Sequence, residues 1–323
     1  TTGFLVAGTK ATTWNFAWNC IDLNWLCFSC YSIKTWGSGV GPMIDLHTHT
    51  NKSDGTDSPR ELVNKAIVQG LTVLGITDHD TTSSWQEATQ SLRGNLTLAL
   101  GSEISCLTED GMSVHMLGLL FDGEHKQMQV MLEETRDGRL PRMRKMVEKM
   151  QAAGIDISMA DVEAARPDGA TLGRPHLADA LVNKGVISSR EEAFQGMLNN
   201  DSQFYVSHAA PTPAQAIAMI RSAGGVAVIA HPFASHRGQI LKASDFQDLV
   251  KAGLNGIEVD HRDQNPEERA MLRSIAAELD LVITGSSDYH GSGKLNLLAE
   301  FQTSPGQWEK LESLADNRRV VRA

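Results

Sequence analysis

The chain has 323 residues, with 29 Lys and Arg against 39 Asp and Glu, a net charge of −10. That acidity excludes a general nucleic-acid binder, whose non-specific affinity comes from neutralising phosphates, so any phosphate recognition has to be local. Hydrophobic residues make up 41% and charged residues 21%, which excludes wholesale disorder. Four Cys are too few for a disulfide scaffold. No apolar run reaches the roughly 18 residues of a membrane span, so no membrane contact and a cytoplasmic location are expected.

Residues 1–42 differ from the rest of the chain. They hold Cys20, Cys27 and Cys30, together with Trp14, Trp18, Trp25 and Trp36, and Asp22 is their only acidic residue. They lack the basic start, compact apolar core and small-residue cleavage site of a signal peptide. Cys27 and Cys30 have CxxC spacing, but no second pair is present to complete a zinc knuckle. The expectation is an unstructured leader or a start assigned too early, with the working protein beginning at Met43.

From Met43 the pattern alternates strands with amphipathic helices, an α/β layout. Strands are expected at 43–47, 72–77, 96–100, 114–120, 226–230, 256–260 and 281–285. Helices are expected at 59–69, where Ser58-Pro59 is a start signal and Gly70 a stop, and at 213–223 and 265–279. The alternation breaks over 122–210, which reads as helical at 141–153, 159–165, 175–184 and 189–199. The expected organisation is a domain of 43–121 and 211–323 with 122–210 inserted over its mouth.

Metal-competent residues crowd the strand ends, where α/β barrels place their chemistry. His47 and His49 follow the first strand, His79 the second, Glu103 the third, His231 the fifth, and Asp288 and His290 the seventh; Asp54 lies in a Ser-Asp-Gly loop. His-Thr-His puts two imidazoles on one edge, because side chains alternate with period two. His115 stands near the start of its strand: either that strand runs the other way or His115 is not a ligand. Six His, two Asp and one Glu, without thiolates, suit Zn²⁺, Mn²⁺ or Fe²⁺. Nine ligands serve two or three ions if one carboxylate bridges. Three divalent ions outweigh three carboxylates and a hydroxide, so the site stays cationic and suits a phosphate ester.

The segments IDLHTHTNKSDG (44–55), GITDHDT (75–81), GSEIS (101–105), HMLGL (115–119), GGVAVIAHP (224–232) and SSDYHG (286–291) resemble, in order, the motifs of the polymerase-and-histidinol-phosphatase (PHP) metal-dependent phosphoesterases. The resemblance implies a distorted (β/α)7 barrel holding three divalent ions. One ion would take His47, His49, Glu103 and Asp288; a second Glu103, His115 and His231; the third Asp54, His79 and His290. Arg139-Leu140-Pro141-Arg142 and Gly173-Arg174-Pro175-His176 in the insert resemble the branch acting on nucleoside 3′,5′-bisphosphates, nucleoside monophosphates such as AMP, or RNA 5′ ends. Each motif has a Pro in a helix's first turn, where free N–H groups and the dipole favour phosphate. Arg139, Arg142, Arg174 and His176 are thus the expected substrate contacts.

The implied reaction is phosphomonoester hydrolysis by a metal-bound hydroxide, with His231 and Asp288 as catalytic side chains. The proton for the leaving oxygen comes from His231 or from a metal-bound water. Asp78 and Asp80 are expected to orient His79 or its neighbours. Alternatives are a histidinol-phosphate phosphatase, an exonuclease on short RNA, an amidohydrolase-type deaminase, and a non-catalytic metal-binding module. No obligate protein partner is evident.

Overall fold

The computed structural model describes residues 1, 41–207, 209–237, 240–316 and 320–323. The CxxC pair and all but the edges of the expected leader lie outside them. In chain order the elements begin with β1 (Met43–Asp45), α1 (Pro59–Gln69), β2 (Leu71–Ile76), α2 (Trp85–Ser91), β3 (Thr97–Leu107) and β4 (Ser113–Leu119). Five helices come next: α3 (Lys126–Asp137), α4 (Arg139–Ala152), α5 (Met159–Ala165), α6 (Arg174–Asn183) and α7 (Arg190–Gln195). The chain then forms α8 (Pro213–Ser222), β5 (Val226–Ala230), α9 (Ala243–Ala252), β6 (Gly256–Asp260), α10 (Pro266–Glu278), β7 (Val282–Gly285), α11 (Pro305–Leu314) and β8 (Val320–Arg322).

Helix starts are set by local chemistry. Ser58 and Glu61, Thr212 and Gln215, and Asn265 and Glu268 form capping boxes around Pro59, Pro213 and Pro266, satisfying donors that a first turn leaves open. Gly70 ends α1 in the left-handed region at φ 84°.

The sheet runs β1 to β7 in order, with β8 added beside β3. β1–β2–β3 and β5–β6–β7 pair in parallel, whereas β4 is antiparallel to both β3 and β5. The third strand is longer than expected, passing through Glu103 to Leu107 before a turn in which Thr108 donates to and accepts from Met112. The reversal of β4 answers the question posed by His115: the start of that strand lies at the site end of the sheet. Between β7 and β1 the contact is an isolated parallel bridge, Thr48 to Tyr289. The buried Asp45 carboxylate laces the same edges, accepting from the Ser287 N–H (3.0 Å) and hydroxyl (2.6 Å) and the Ala299 N–H (2.8 Å).

Among the described residues, apolar clusters pack both the sheet and the helical segment. Ile44, Leu46, Val73, Leu117, Val228 and Val282 join the strands from one side. Ile104, Met116, Ile217, Ile229, Phe246 and Leu272 pack the sheet against the helices. Met143, Met146, Met150, Leu177, Leu181 and Phe204 belong to a third cluster confined to the region of α4 to α7. Each such side chain contributes roughly 1.5–3 kcal/mol when fully buried, so the helical segment has packing of its own. α4 begins at Arg139, and Pro141 does fall in its first turn. However, Gly138 is itself helical (φ −64°, ψ −18°) and ends α3. The chain therefore enters α4 without an extended cap, unlike the open N-terminus expected beside Arg139.

Candidate metal centre

β1 delivers His47 and His49 to one point because it can lie close to β2: a Cβ on Gly75 would stand 2.2 Å from the Leu46 carbonyl oxygen. Three site residues that are not glycine, Asp80, His231 and Asp288, have positive φ values of 53°, 31° and 53°. L-residues adopt such conformations only when their surroundings impose them, and functional sites are where they collect.

The donor atoms converge in overlapping groups. His47 Nε2 and His49 Nε2 are 3.0 Å apart, and each lies 3.1–3.5 Å from Glu103 Oε2 and Asp288 Oδ1. Donors at about 2.0–2.2 Å from a tetrahedral ion would be roughly 3.3–3.6 Å apart, so these four fit one ion closely. Glu103 turns its other oxygen, Oε1, to His115 Nδ1 at 2.7 Å and His231 Nε2 at 3.1 Å. One carboxylate thus faces two groups, as a bridging ligand must. Asp54 faces His290 Nε2 at 3.2 Å, His49 Nδ1 at 3.6 Å and His79 Nε2 at 3.7 Å. His79 Nδ1 lies 3.2 Å from Glu103 Oε2. All nine residues expected as ligands come together, and all but His79 and His115 are buried.

The electrostatics match an N/O cation site. Burial works against charge on His47, but Glu258, Glu103 and Asp288 overcome it and raise its pKa well above the ordinary value. Burial also opposes charge on His49, yet hydrogen bonds to Asp288 and Glu103 bring it up to about 9. Burial lowers His79 and His231 to about 3 and His290 to about 4, with Arg237 adding to the effect on His231 and Lys294 on His290. Burial thus biases those three imidazoles toward the neutral form, which is the form that ligates a metal. Against the cost of burial, neighbouring imidazoles hold the Asp54 and Glu103 carboxyls well below the usual range, and Lys294 leads the same effect on Asp288.

Sequence reasoning missed the residues that aim these ligands. Glu258 on β6 is fully buried; its Oε1 lies 3.0 Å from His47 Nδ1, and its Oε2 accepts from the His231 N–H at 3.0 Å. A carboxylate behind a ligating imidazole fixes the ring and raises its basicity. Asp288 Oδ2 accepts from Lys294 Nζ (2.7 Å) and Arg237 (3.1 Å), leaving Oδ1 for the ion group. His261 and Asp263 also gather at Asp288, but Arg237 pairs with Asp263, so protein cations already serve that corner. Asp78 and Asp80 do not bond the His79 ring. Asp78 accepts from the Thr50 N–H and hydroxyl and from Ser53, fixing the loop that carries Asp54, while Asp80 accepts from Arg139 and from Ser105.

A cavity of about 690 Å³ joins Asp54, His79, Glu103, His231 and Asp288 to Arg139, Arg142 and Arg174. The three arginines differ. Arg139 is committed to Asp80, Ser105 and the Leu172 carbonyl. Arg142 donates to the Val206 carbonyl, Arg174 to the Leu198 carbonyl and Asn200, and both guanidiniums lie against the Tyr205 ring. Among the described residues neither has a carboxylate partner. Burial lowers both pKa values, and each is lowered further by a neighbouring arginine. His176 folds back so that its Nδ1 accepts from the Gly173 N–H, and it does not line the cavity.

A PHP-domain family model matches residues 45–160. The chain is 34% identical to a 5′-3′ exoribonuclease of Haemophilus influenzae over 76% of this chain and 89% of that protein. It is 31% identical to a 3′,5′-nucleoside bisphosphate phosphatase of Chromobacterium violaceum over 78% and 88%. A crystal structure from Bifidobacterium adolescentis, described as a metal-dependent phosphoesterase, superposes with a TM-score of 0.79 at 39% identity, covering 85% of this chain and 98% of that one. With the ligand groups, fold and relatives in agreement, the chain belongs to the PHP family of metal-dependent phosphoesterases and is a hydrolase of phosphoester bonds.

Proposed function

We propose that this enzyme removes a phosphate from a small nucleotide carrying two phosphates, a nucleoside 3′,5′-bisphosphate. The observation that carries this reading is the pair of guanidiniums, Arg142 buried and Arg174 half-buried, against one tyrosine ring in the same cavity as the ligand groups and with no carboxylate of their own among the described residues. Two neighbouring cations partly withdrawn from water cost free energy unless an anion joins them. A second phosphate, placed while the first lies at the metal centre, supplies that anion, and Arg is suited to binding it with a fork of donors. The relatives that include a 3′,5′-nucleoside bisphosphate phosphatase and a 5′-3′ exoribonuclease support a nucleotide substrate. A short RNA with a 5′ phosphate would use the same anchors.

Three divalent ions are proposed in the groups described above, of Mn²⁺, Zn²⁺ or Fe²⁺ type. Bound there, they supply Lewis acidity toward a phosphoryl oxygen and activate water. The chain's own part is orientation. Glu258 and Glu103 fix the imidazoles; Lys294 and Arg237 leave one oxygen of Asp288 directed at the centre. His231 places Nε2 on Glu103 among the ligand groups, while burial and the adjacent Arg237 disfavour its protonated form, which favours the role of ligand over that of general acid. Arg139, tied to Asp80, positions α4 against the site. Residues 122–210 form the inserted helical subdomain that brings Arg142 and Arg174 to the cavity.

Arg174→Ala tests the reading by steady-state phosphate release. KM for adenosine 3′,5′-bisphosphate should rise at least tenfold, with little change for AMP. Equal effects on both substrates, or none, would remove the second-phosphate anchor.

A further inference from the structure

The Asp54 group is assembled from two loops that are knitted together. The Thr56 N–H donates to the His290 carbonyl at 3.1 Å, and the Ser292 N–H donates to the Thr56 hydroxyl at 2.8 Å. One side chain from the helical region enters at this seam. Arg190, the first residue of α7, donates from Nη1 to the backbone carbonyl of Asp54 at 3.1 Å. Its Nε and Nη2 are held by the two oxygens of Asp179 on α6. That bidentate pairing fixes the plane of the guanidinium, so Nη1 has little freedom to move. The other loop has been left open for it: a Cβ on Gly293 would stand 2.3 Å from Arg190 Nη1 and make only ordinary contact, 3.6 Å, with the Asp54 carbonyl oxygen. Gly293 has no left-handed backbone to explain its identity, since it is absent among the glycines of positive φ. The space it leaves is occupied by Arg190.

We infer that Arg190 is a positioning residue for the Asp54 metal group, and that Asp179–Arg190–Gly293 links the helical region to occupancy of that group. The inference rests on the metal assignment proposed above. Arg190 is held by Asp179 and reaches the backbone of a ligand residue, so its loss should loosen the loop that aims the Asp54 carboxylate. Groups that hydrogen-bond a ligating side chain directly are worth roughly 10–100-fold in metal affinity, and Arg190, acting through the Asp54 backbone, is expected at the lower end of that range.

The test is Mn²⁺ binding to chelator-stripped, full-length protein, followed as bound equivalents, for wild type, Asp54→Asn, Arg190→Ala, Gly293→Ala and the Arg190→Ala/Gly293→Ala double variant. Thermal melts confirm that each is folded. Arg190→Ala and Gly293→Ala should each weaken, by about tenfold, the same equivalent that Asp54→Asn removes. The double variant should be no worse than Arg190→Ala alone, because Gly293→Ala acts only by displacing Arg190. In turnover, kcat should fall without a rise in KM. Unaltered Mn²⁺ binding by Arg190→Ala beside a normal loss in Asp54→Asn would overturn this inference alone. So would multiplicative effects in the double variant, or a raised KM with intact binding, which would make Arg190 a substrate contact. Failure of wild type to bind Mn²⁺, or no loss in Asp54→Asn, would overturn the metal assignment and this inference with it.

Discussion

Changing Glu258 to Gln alters one buried oxygen into an amide nitrogen at almost constant volume. In the native site Glu258 Oε1 faces His47 Nδ1 at 3.0 Å and Oε2 accepts from the His231 N–H at 3.0 Å. A Gln can keep only one of these acceptor roles, and it removes the negative charge that leads the upward pull on His47. Loss of a carboxylate behind a ligating imidazole costs about 10–100-fold in metal affinity, or about 1.4–2.7 kcal/mol. Competition of Mn²⁺ against a fluorescent chelator measures it directly, and kcat should fall in parallel. Asp260→Asn is the control. Asp260 lies two residues on, but a register shift between Glu258 and Asp260 breaks the alternation, and its carboxylate pairs with Arg273 instead. Wild-type Mn²⁺ affinity in Glu258→Gln, or an equal loss in Asp260→Asn, would refute this role for Glu258.

Arg139→Met should lower stability by about 3–5 kcal/mol, because it leaves the buried Asp80 carboxylate with Ser105 but without its cation; urea denaturation reads this, and a loss below about 1 kcal/mol would mean that Asp80 does not need a counter-charge. Asp45→Asn should cost about 2–4 kcal/mol in the same assay, since an amide cannot accept from Ser287 and Ala299 as both carboxylate oxygens do. Gly75→Ala should prevent normal packing of β1 on β2, seen as a sharp fall in melting temperature and Mn²⁺ uptake, because its Cβ would meet backbone at 2.2 Å. His47→Ala should abolish turnover and lower the number of Mn²⁺ equivalents bound.

Much of this site was legible because its spacing is local. His-Thr-His after a strand aims two rings one way, and the ordered motifs carried the other ligands with them. The direction of β4 was not legible, since an apolar run such as VHMLGLL reads the same whichever way its neighbours run; His115 alone hinted at reversal. Glu258 was hidden for a related reason. GIEVD is an ordinary strand with an acidic end, and nothing local distinguishes an inward Glu from the outward Asp260, whose direction depends on a register shift. Helix α3 carries Met128, Met131 and Leu132 at helical spacing, a readable signal masked by its polar surroundings. β8, three residues long, is defined by pairing with β3 rather than by any pattern of its own. The roles of the arginines depended on tertiary partners: Arg139 and Arg142 are three apart on one helix, yet one meets the Asp80 carboxylate and the other, among the described residues, meets the Val206 carbonyl and Tyr205.

The most direct test is inorganic phosphate release from adenosine 3′,5′-bisphosphate by protein stripped of metal and then given Mn²⁺, with AMP and a 5′-phosphorylated short RNA beside it. The predicted result is no release from stripped protein, recovery on adding Mn²⁺, and preference for the bisphosphate. Undiminished release from protein shown to be metal-free, or none from any ester with Mn²⁺ shown to be bound, would contradict it.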